Sequence, residues 1–587
     1  MAHRRNKQQR AGGIYLAVLA TAMVVALLGM TAMIGQRLQN RMLVASTSIR
    51  QAQFNAGTAV ELGLLAMKQD TNWRTTYSSG TVFTNRSASS GTCSLSIADP
   101  ADGNLTNNAD DPVVLTGIGY SGDAQQRVQV TVDSRKTPLS CLRSAIAMGG
   151  NIALSSDILR TNGLTTANQV SATSSLVYGK VEAISVSGTT YNGATTQVLS
   201  EKRPTMPTWT SVFSYYRTNG TEININSLPT QTPNLARNVS FDTDTSYWTG
   251  AATGLPTADL DLRTNIGGHV ACARVDSRTN VTAGISQYID AYVKAGASYN
   301  ISLNIFPSSG AYNVFRVKLA TKGTGAVSTN ASSSFILATG SWQDVSVTLT
   351  APTWSGSLEY ARLTVDTENA LGHTGEFHID NIDIRENLSG RYIYREVISP
   401  SLNPFGASTN SEGIYWINCN GNRLIIERSR IKGTLLIVNP GAGSCVSNGP
   451  ISWSPAVAGY PALLVDADNA TDADFMINAT NRALNERDNE TNFNPVGASH
   501  EEFGQDSDTN DIYRSAIRGM VAVRDDLLYQ NRTLVRGQVI VGDEINNPSG
   551  ELEVEYLPDS LLNPPPGFLA PYTYVRRPSS LRKAVLP

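Results

Sequence analysis

Ile517-Arg518-Gly519-Met520-Val521-Ala522-Val523 is followed 18 residues later by Val535-Arg536-Gly537-Gln538-Val539-Ile540-Val541. Both share the form apolar, basic, Gly, x, apolar, x, apolar with the earlier Ile431-Lys432-Gly433-Thr434-Leu435-Leu436-Ile437. Val177-Tyr178-Gly179-Lys180-Val181 is a looser fourth copy, and Met148 to Leu154 supplies a fifth. A short apolar strand repeating at the length of one coil, with glycine where the chain turns a corner, predicts a parallel β-solenoid. The copies define two tracts, about 139–200 and 388–548, and an irregular β-sandwich is the alternative for the same pattern.

Composition agrees with short strands joined by many turns. The chain has 587 residues, enough for three or four domains at about 150 each, and only 16% of them are charged and 7% aromatic. Seven of the 46 basic residues lie in the first 50 positions, where no acid occurs, so the rest carries 39 basic against 49 acidic residues, net −10. An acidic, sparsely charged body argues against nucleic acid as a partner.

Arg4, Arg5, Lys7 and Arg10 precede a stretch from Ala11 to Gln36 without a single charge. That stretch exceeds the ~20 apolar residues that span a bilayer. A short basic leader stays in the cytoplasm while a long body is translocated, so the expectation is one transmembrane helix with the body outside the inner membrane. The alternative, a cleaved secretory signal, needs a shorter apolar core and an A-x-A-like site. Leu43 to Met67 keeps near-helical apolar spacing, which predicts that the helix continues to about residue 68. The run Arg10-Ala11-Gly12-Gly13-Ile14-Tyr15-Leu16, then Leu27-Leu28-Gly29-Met30, then Ala59-Val60-Glu61-Leu62-Gly63-Leu64, resembles the amino-terminal segment of PilX-like minor pilins and type II secretion pseudopilins. The resemblance implies a pilin-like anchor with pilus or secretion-system subunits as partners. It departs from most type IV pilins in one respect: their acidic residue five positions after the cleavage site would fall on Val18 if the cut followed Gly13.

From Val82 to Val132 short alternating apolar runs read as antiparallel strands packed on the long helix. Within them the loop Asp99 to Asp111, with Asp99, Asp102, Asp110 and Asp111, is either a calcium loop or a solvated acidic turn.

Between the solenoid tracts lies a segment of different character. Asn238-Val239-Ser240-Phe241-Asp242 with Tyr247-Trp248 opens it, Gly340-Ser341-Trp342-Gln343-Asp344-Val345 lies late in it, and Phe377-His378-Ile379-Asp380-Asn381-Ile382-Asp383-Ile384 closes it. In this order the three motifs resemble carbohydrate-binding modules of the CenC type, jelly-roll β-sandwiches. The strand-like sequences on either side place the module as an insertion in the solenoid. Aromatic faces that stack on sugar rings give the candidate carbohydrate-binding residues Tyr288, Tyr292, Tyr312, Phe315 and Trp354. Tyr312 and Phe315 are an odd number apart, so an unbroken strand sends them to opposite faces. Trp248 and Trp342, inside the family motifs, are assigned to the core. By the same resemblance Asp242 and Asp380 are candidate ligands of a structural calcium, against the reading of ordinary strand-end acids.

No GxSxG, HExxH or P-loop pattern occurs. Glu501, Glu502, Asp506, Asp508 and Asp511 beside His500 are either a solvated loop or carboxylates for glycosidic chemistry. Cys419 and Cys445 are candidates for a disulfide or for two buried thiols. Asn563-Pro564-Pro565-Pro566-Gly567 ends regular structure, because proline lacks the ladder N–H, and the tail beyond is expected to lie extended over the solenoid.

The expected architecture is mainly β with an amino-terminal transmembrane α-helix, a β-solenoid-like body and an inserted jelly-roll β-sandwich. Its parts are 1–68 leader and helix, 69–138 antiparallel headgroup, 139–233 and 388–562 solenoid, 234–387 sandwich, and 563–587 Pro-rich tail. The expected function is a membrane-anchored, non-catalytic protein that displays a glycan-binding module to a polysaccharide or cell-wall glycan. One alternative is a membrane-tethered glycosyl hydrolase targeted by its module, and another is a structural protein whose sandwich is a spacer.

Overall fold

The computed structural model describes residues 9–583 apart from 89, 189–190, 194, 198–202, 309–312, 339, 369–373, 447–448, 468–474, 481 and 547–548. The chain forms two compact units, one of the residues up to Thr137 with those from Ala570 onward, the other Pro138–Leu569.

The first unit begins with α1 (Gln9–Gln69), one continuous helix of 61 residues. No proline interrupts it, and a helical glycine such as Gly29 costs only about 1 kcal/mol against alanine. Its apolar side chains from Ile14 to Val44 are exposed, and by length and composition it is the one helix among the described residues that can cross a membrane. Past residue 50 one face is buried: Ala52, Ala56, Ala59, Val60 and Met67 pack on an antiparallel sheet of β1 (Thr81–Ala88), β2 (Gly91–Ala98), β3 (Val113–Ser121) and β4 (Ala124–Arg135). Helix and sheet approach closely because β3 carries glycine there; a Cβ on Gly119 would lie 2.1 Å from the Ala52 carbonyl oxygen. The tail corrects expectation. Thr573–Arg576 and Arg582–Lys583 pair antiparallel with β4, so the tail extends this small sheet instead of lying over the solenoid.

The second unit holds a parallel solenoid. The three clear sequence repeats stack in register, Ile517 on Val535, Arg518 on Arg536 and Gly519 on Gly537, while Ile431 reaches them through Trp453. Inward columns make its core: Ile417, Ile437, Val465, Val523, Val541 and Met148 follow one another rung by rung, each buried. The two sequence tracts are one solenoid joined out of chain order. Ile146–Met148 and Ile158–Thr173, early in the chain, stack beyond Leu527–Val541 and Ser549–Tyr556. A helix, Trp209–Asn219, then leads the chain back to the far end, where Thr221–Glu222 pairs with Ile414–Asn418.

The sandwich is inserted at that return. Its entry and exit meet, since the Tyr392 amide donates to the Pro229 carbonyl at 2.9 Å. One antiparallel sheet orders Asp259–Ile266, His269–Asp276, Phe377–Glu386, Ser298–Pro307 and Gln343–Thr350; the other orders Ile285–Tyr288, Leu358–Asp366, Asn313–Gly323 and Thr329–Ser332, with Ile336–Ala338 also paired to Asn313–Gly323. Alternation along Ser298–Pro307 sends Ile301, Leu303 and Ile305 inward and Asn300, Ser302 and Asn304 outward. The sandwich core continues into the solenoid residues Tyr392, Tyr394, Ile425 and Cys445. At that seam the Lys294 ammonium lies 2.7 Å from Glu386 and 2.6 Å from Glu427, both carboxylates buried and the lysine half-buried. All five cysteines are buried free thiols, Cys419 and Cys445 included.

Candidate functional site

The outer face of the sheet that holds Phe377–Glu386 combines an aromatic wall with a polar floor. A bulge where Asp380 and Asp383 oppose Asn304 and Ser302, with Asn381 at φ 49°, turns His378, Asp380, Asn381 and Asp383 all outward. Phe306 pairs with His378 across strands and lies 5.6 Å from Trp342. The hairpin tip at 266–269 reaches over the face: His269 stacks on Trp342 at 4.0 Å, and the Trp342 indole N–H donates to the Ile266 carbonyl at 2.8 Å. Next to this wall an amide row runs across three strands. Asn381 donates to Asn304 at 2.8 Å and Asn304 donates to the Asp344 carboxylate at 2.5 Å, with Ser302 and Ser346 exposed alongside. Half-buried rings beside oriented amides and a carboxylate suit a ligand with apolar ring faces and equatorial hydroxyls. Trp342 therefore belongs to the surface of the sandwich and not to its core. The outward alternation of Gln343–Thr350, and the aromatic placed at its start, are the sequence signals that find it.

Of the residues predicted from sequence, Phe315 is fully buried against Phe377 at 5.1 Å, and the strand's alternation points it into the core. Tyr292 is also buried. Arg395 and Arg428 stack on its ring at 4.6 and 5.0 Å, and Arg237 donates to its hydroxyl. Neither ring can meet a sugar, and both are corrected to structural residues. Tyr312 lies outside the described residues. Tyr288 is 40% exposed on the second sheet, edge-on to Tyr360 at 6.0 Å, with its hydroxyl accepting from the Thr253 amide. Trp354 is half-buried in a groove of about 380 Å³ shared with solenoid residues including Pro450 and Asn531. Trp248 is buried as expected, its N–H donating to the carbonyls of Arg237 and Asn238.

Asp380 is 5% exposed and uses both oxygens within the protein: one pairs with the His269 ring at 2.5 Å, the other accepts from the Asn381 amide at 2.8 Å. Burial raises its pKa, His269 opposes that shift, and the exposed Asp242 carboxylate adds to it. A calcium bound at Asp242 and Asp380 would have to displace His269.

In the solenoid, Glu501 is exposed and shared between Lys432 at 2.9 Å and Arg518 at 3.2 Å. The Lys432 hydrogen bond holds its pKa below the ordinary value, the opposite of what a catalytic acid requires. Asp506 and Asp511 accept from Asn492 and Asn494 and so brace their own loop. His500 stacks on Phe503 and meets Tyr513 edge-on, and burial lowers its pKa.

Residues 233–371 match a family model described as a carbohydrate binding domain. No curated protein matches the chain. Among solved structures, the tandem CBM22-1–CBM22-2 domain of Paenibacillus barcinonensis Xyn10C is 19% identical with TM-score 0.23, covering 26% of this chain and 49% of that one. The CBM22-2 xylan-binding domain of the same protein is 18% identical with TM-score 0.22, covering 25% of this chain and 98% of that one. A structure described as CBM4 structure and function is 18% identical with TM-score 0.20, covering 26% and 99%. The inserted sandwich is thus a carbohydrate-binding module by its family match, within a chain of which that match covers about a quarter.

Proposed function

We propose that the protein is a membrane-anchored, non-catalytic glycan-binding protein that holds a polysaccharide against the outer face of the sheet that holds Phe377–Glu386. The observation that carries this reading is the Trp342, His269 and Phe306 wall beside the Asn381, Asn304 and Asp344 row, all but Asn381 within the segment with the family match. The wall supplies stacking and the row fixes hydroxyl orientation. The uncharged half of α1 serves as the anchor. The pilin-like reading of the first unit rests on that long helix with a small antiparallel sheet packed on its second half.

The full chain, extracted in detergent from the membrane fraction, is tested by affinity electrophoresis against xylan, mixed-linkage β-glucan, galactomannan and polygalacturonate. Binding to at least one of them should fall about thirtyfold in Trp342→Ala, about 2 kcal/mol, with the circular dichroism spectrum kept. Unchanged binding in Trp342→Ala moves the site off this face, and recovery of the intact chain from the soluble fraction removes the anchor.

A further inference from the structure

The loop between β2 and β3 gathers three carboxylates at one point. Ligand oxygens of Asp99, Asp102 and Asp111 all lie within 4.8 Å of one another. Asp99 follows the last residue of β2, and Asp111 stands two positions before the first residue of β3. Asp99 is 5% exposed, with its side chain wholly covered; its Oδ1 accepts from the Ala101 amide at 2.7 Å, but its Oδ2 has no hydrogen-bond donor. Asp102 accepts from the Asn104 amide and from Asn107, and Asp111 from Asn108, neutral bonds that a cation on the same carboxylates would share or replace. A buried carboxylate oxygen without a donor is costly unless a cation faces it.

The protein's own cations do not fill that role. Arg74 is the near one, with Nη1 4.0 Å from Asp99 Oδ2. Its guanidinium is spent on the loop backbone, donating to the carbonyls of Leu105, Ala109 and Asp111. Lys136 and the Tyr572 hydroxyl take the neighbouring Asp110 instead. The loop from Asp99 to Pro112 contains no basic residue, so the three carboxylates face one guanidinium and keep a net charge of two negatives.

We infer that Asp99, Asp102 and Asp111 form a calcium site that staples the end of β2 to the start of β3. Hydration and geometry favour calcium over magnesium: Ca²⁺ takes about six to eight oxygens in flexible arrangements, whereas Mg²⁺ demands a near-ideal octahedron and gives up its water reluctantly. An all-oxygen carboxylate set is the donor type that a hard cation takes. Leu105, buried in the core of this unit, anchors the middle of the loop, so the two ends meet the cation from a fixed base.

The test uses the full chain in detergent micelles, stripped with EDTA and titrated with Ca²⁺ or Mg²⁺ by calorimetry, with melting temperature recorded in parallel. Ca²⁺ should bind and raise the melting temperature, Mg²⁺ at equal concentration should not, and Asp102→Asn and Asp111→Asn should each weaken Ca²⁺ binding by about tenfold or more as ligand charge is removed. Asp99→Asn should melt higher than wild type in EDTA, where its buried charge has only Arg74 at 4.0 Å to offset it, and lower in Ca²⁺. Asp242→Asn is the control, and its Ca²⁺ response should equal wild type. A wild-type chain that does not respond to Ca²⁺, or an equal response in wild type, Asp102→Asn and Asp111→Asn, overturns the site. Because Asp102 is exposed, its variant keeps the test decisive if Asp99→Asn fails to fold.

Discussion

Lys294 is the side chain on which the seam between sandwich and solenoid depends. Burial alone would lower its pKa, but the carboxylates of Glu427 and Glu386 outweigh burial and hold it raised. Glu386 is itself raised, chiefly by burial. Lys294→Met removes the cation that Glu386 and Glu427 share and leaves Glu427 with Arg428 at 3.2 Å, which should cost about 3–5 kcal/mol at neutral pH. The pH dependence has a definite sign. A carboxylate raised in the folded state binds more protons folded than unfolded between its unfolded value, about 4.3, and its folded one, so unfolding free energy falls as pH climbs through that window. The wild-type lysine contributes stability that is fully present below its unfolded value, about 10.4, and so adds no slope between pH 5 and pH 8. Lys294 holds Glu386 down against burial, so its removal raises that carboxyl further and extends the falling window in the variant beyond that of wild type; the deficit of Lys294→Met should be smaller near pH 5 than near pH 8, read by urea unfolding followed by tryptophan fluorescence. An equal deficit at both pH values would refute this account. Sequence could not have named this triad, because its members are 92 and 41 residues apart and meet only through the insertion. Trp342 was hidden for a different reason: a family motif marks a position without saying which face of the strand it takes.

At the level of elements, the repeats were legible because one solenoid rung needs a local pattern, two inward apolar residues and a glycine at the corner. What the pattern does not carry is the order of rungs. Stacking of Ile146 on Val539 pairs residues 393 apart, and any rung with the same inward pair satisfies its neighbour equally well in sequence. The glycine column is the strictest part of the pattern. A Cβ on Gly537 would stand 2.1 Å from the Gly519 carbonyl oxygen of the rung below, and Gly519 itself sits at φ 106°. Backbone cannot yield there without breaking the ladder, so Gly537→Ala should destabilise the second unit by about 1–3 kcal/mol. Gly57→Ala on α1, where nothing lies within 4 Å, is the control and should be neutral or stabilising by up to about 1 kcal/mol. Chemical denaturation of both variants reads the difference, and equal midpoints would show that the close approach relaxes without cost.

At the scale of the whole second unit, the insertion has two opposing properties. Its ends meet where the Tyr392 amide donates to the Pro229 carbonyl and Arg391 to the Leu228 carbonyl, so a short linker can replace residues 230–391 with little change in loop-closure entropy, which grows only about 0.6 kcal/mol per doubling of length. Yet its removal uncovers Tyr394, Ile425 and Cys445, which share the sandwich core, and leaves Glu427 with Arg428 at 3.2 Å but without Lys294. The solenoid columns from Ile417 to Met148 do not pass through the sandwich. Deletion should therefore leave a cooperatively folding solenoid with its β spectrum intact, a lower melting temperature and new binding of an apolar dye at the uncovered seam. Substituting Ile425→Thr and Tyr394→Ser in the deleted chain should abolish the dye binding without restoring the melting temperature, since those changes remove exposed apolar surface but rebuild no contact. Loss of cooperative unfolding on deletion would mean that the sandwich is part of the solenoid's folding nucleus and not a module carried by it.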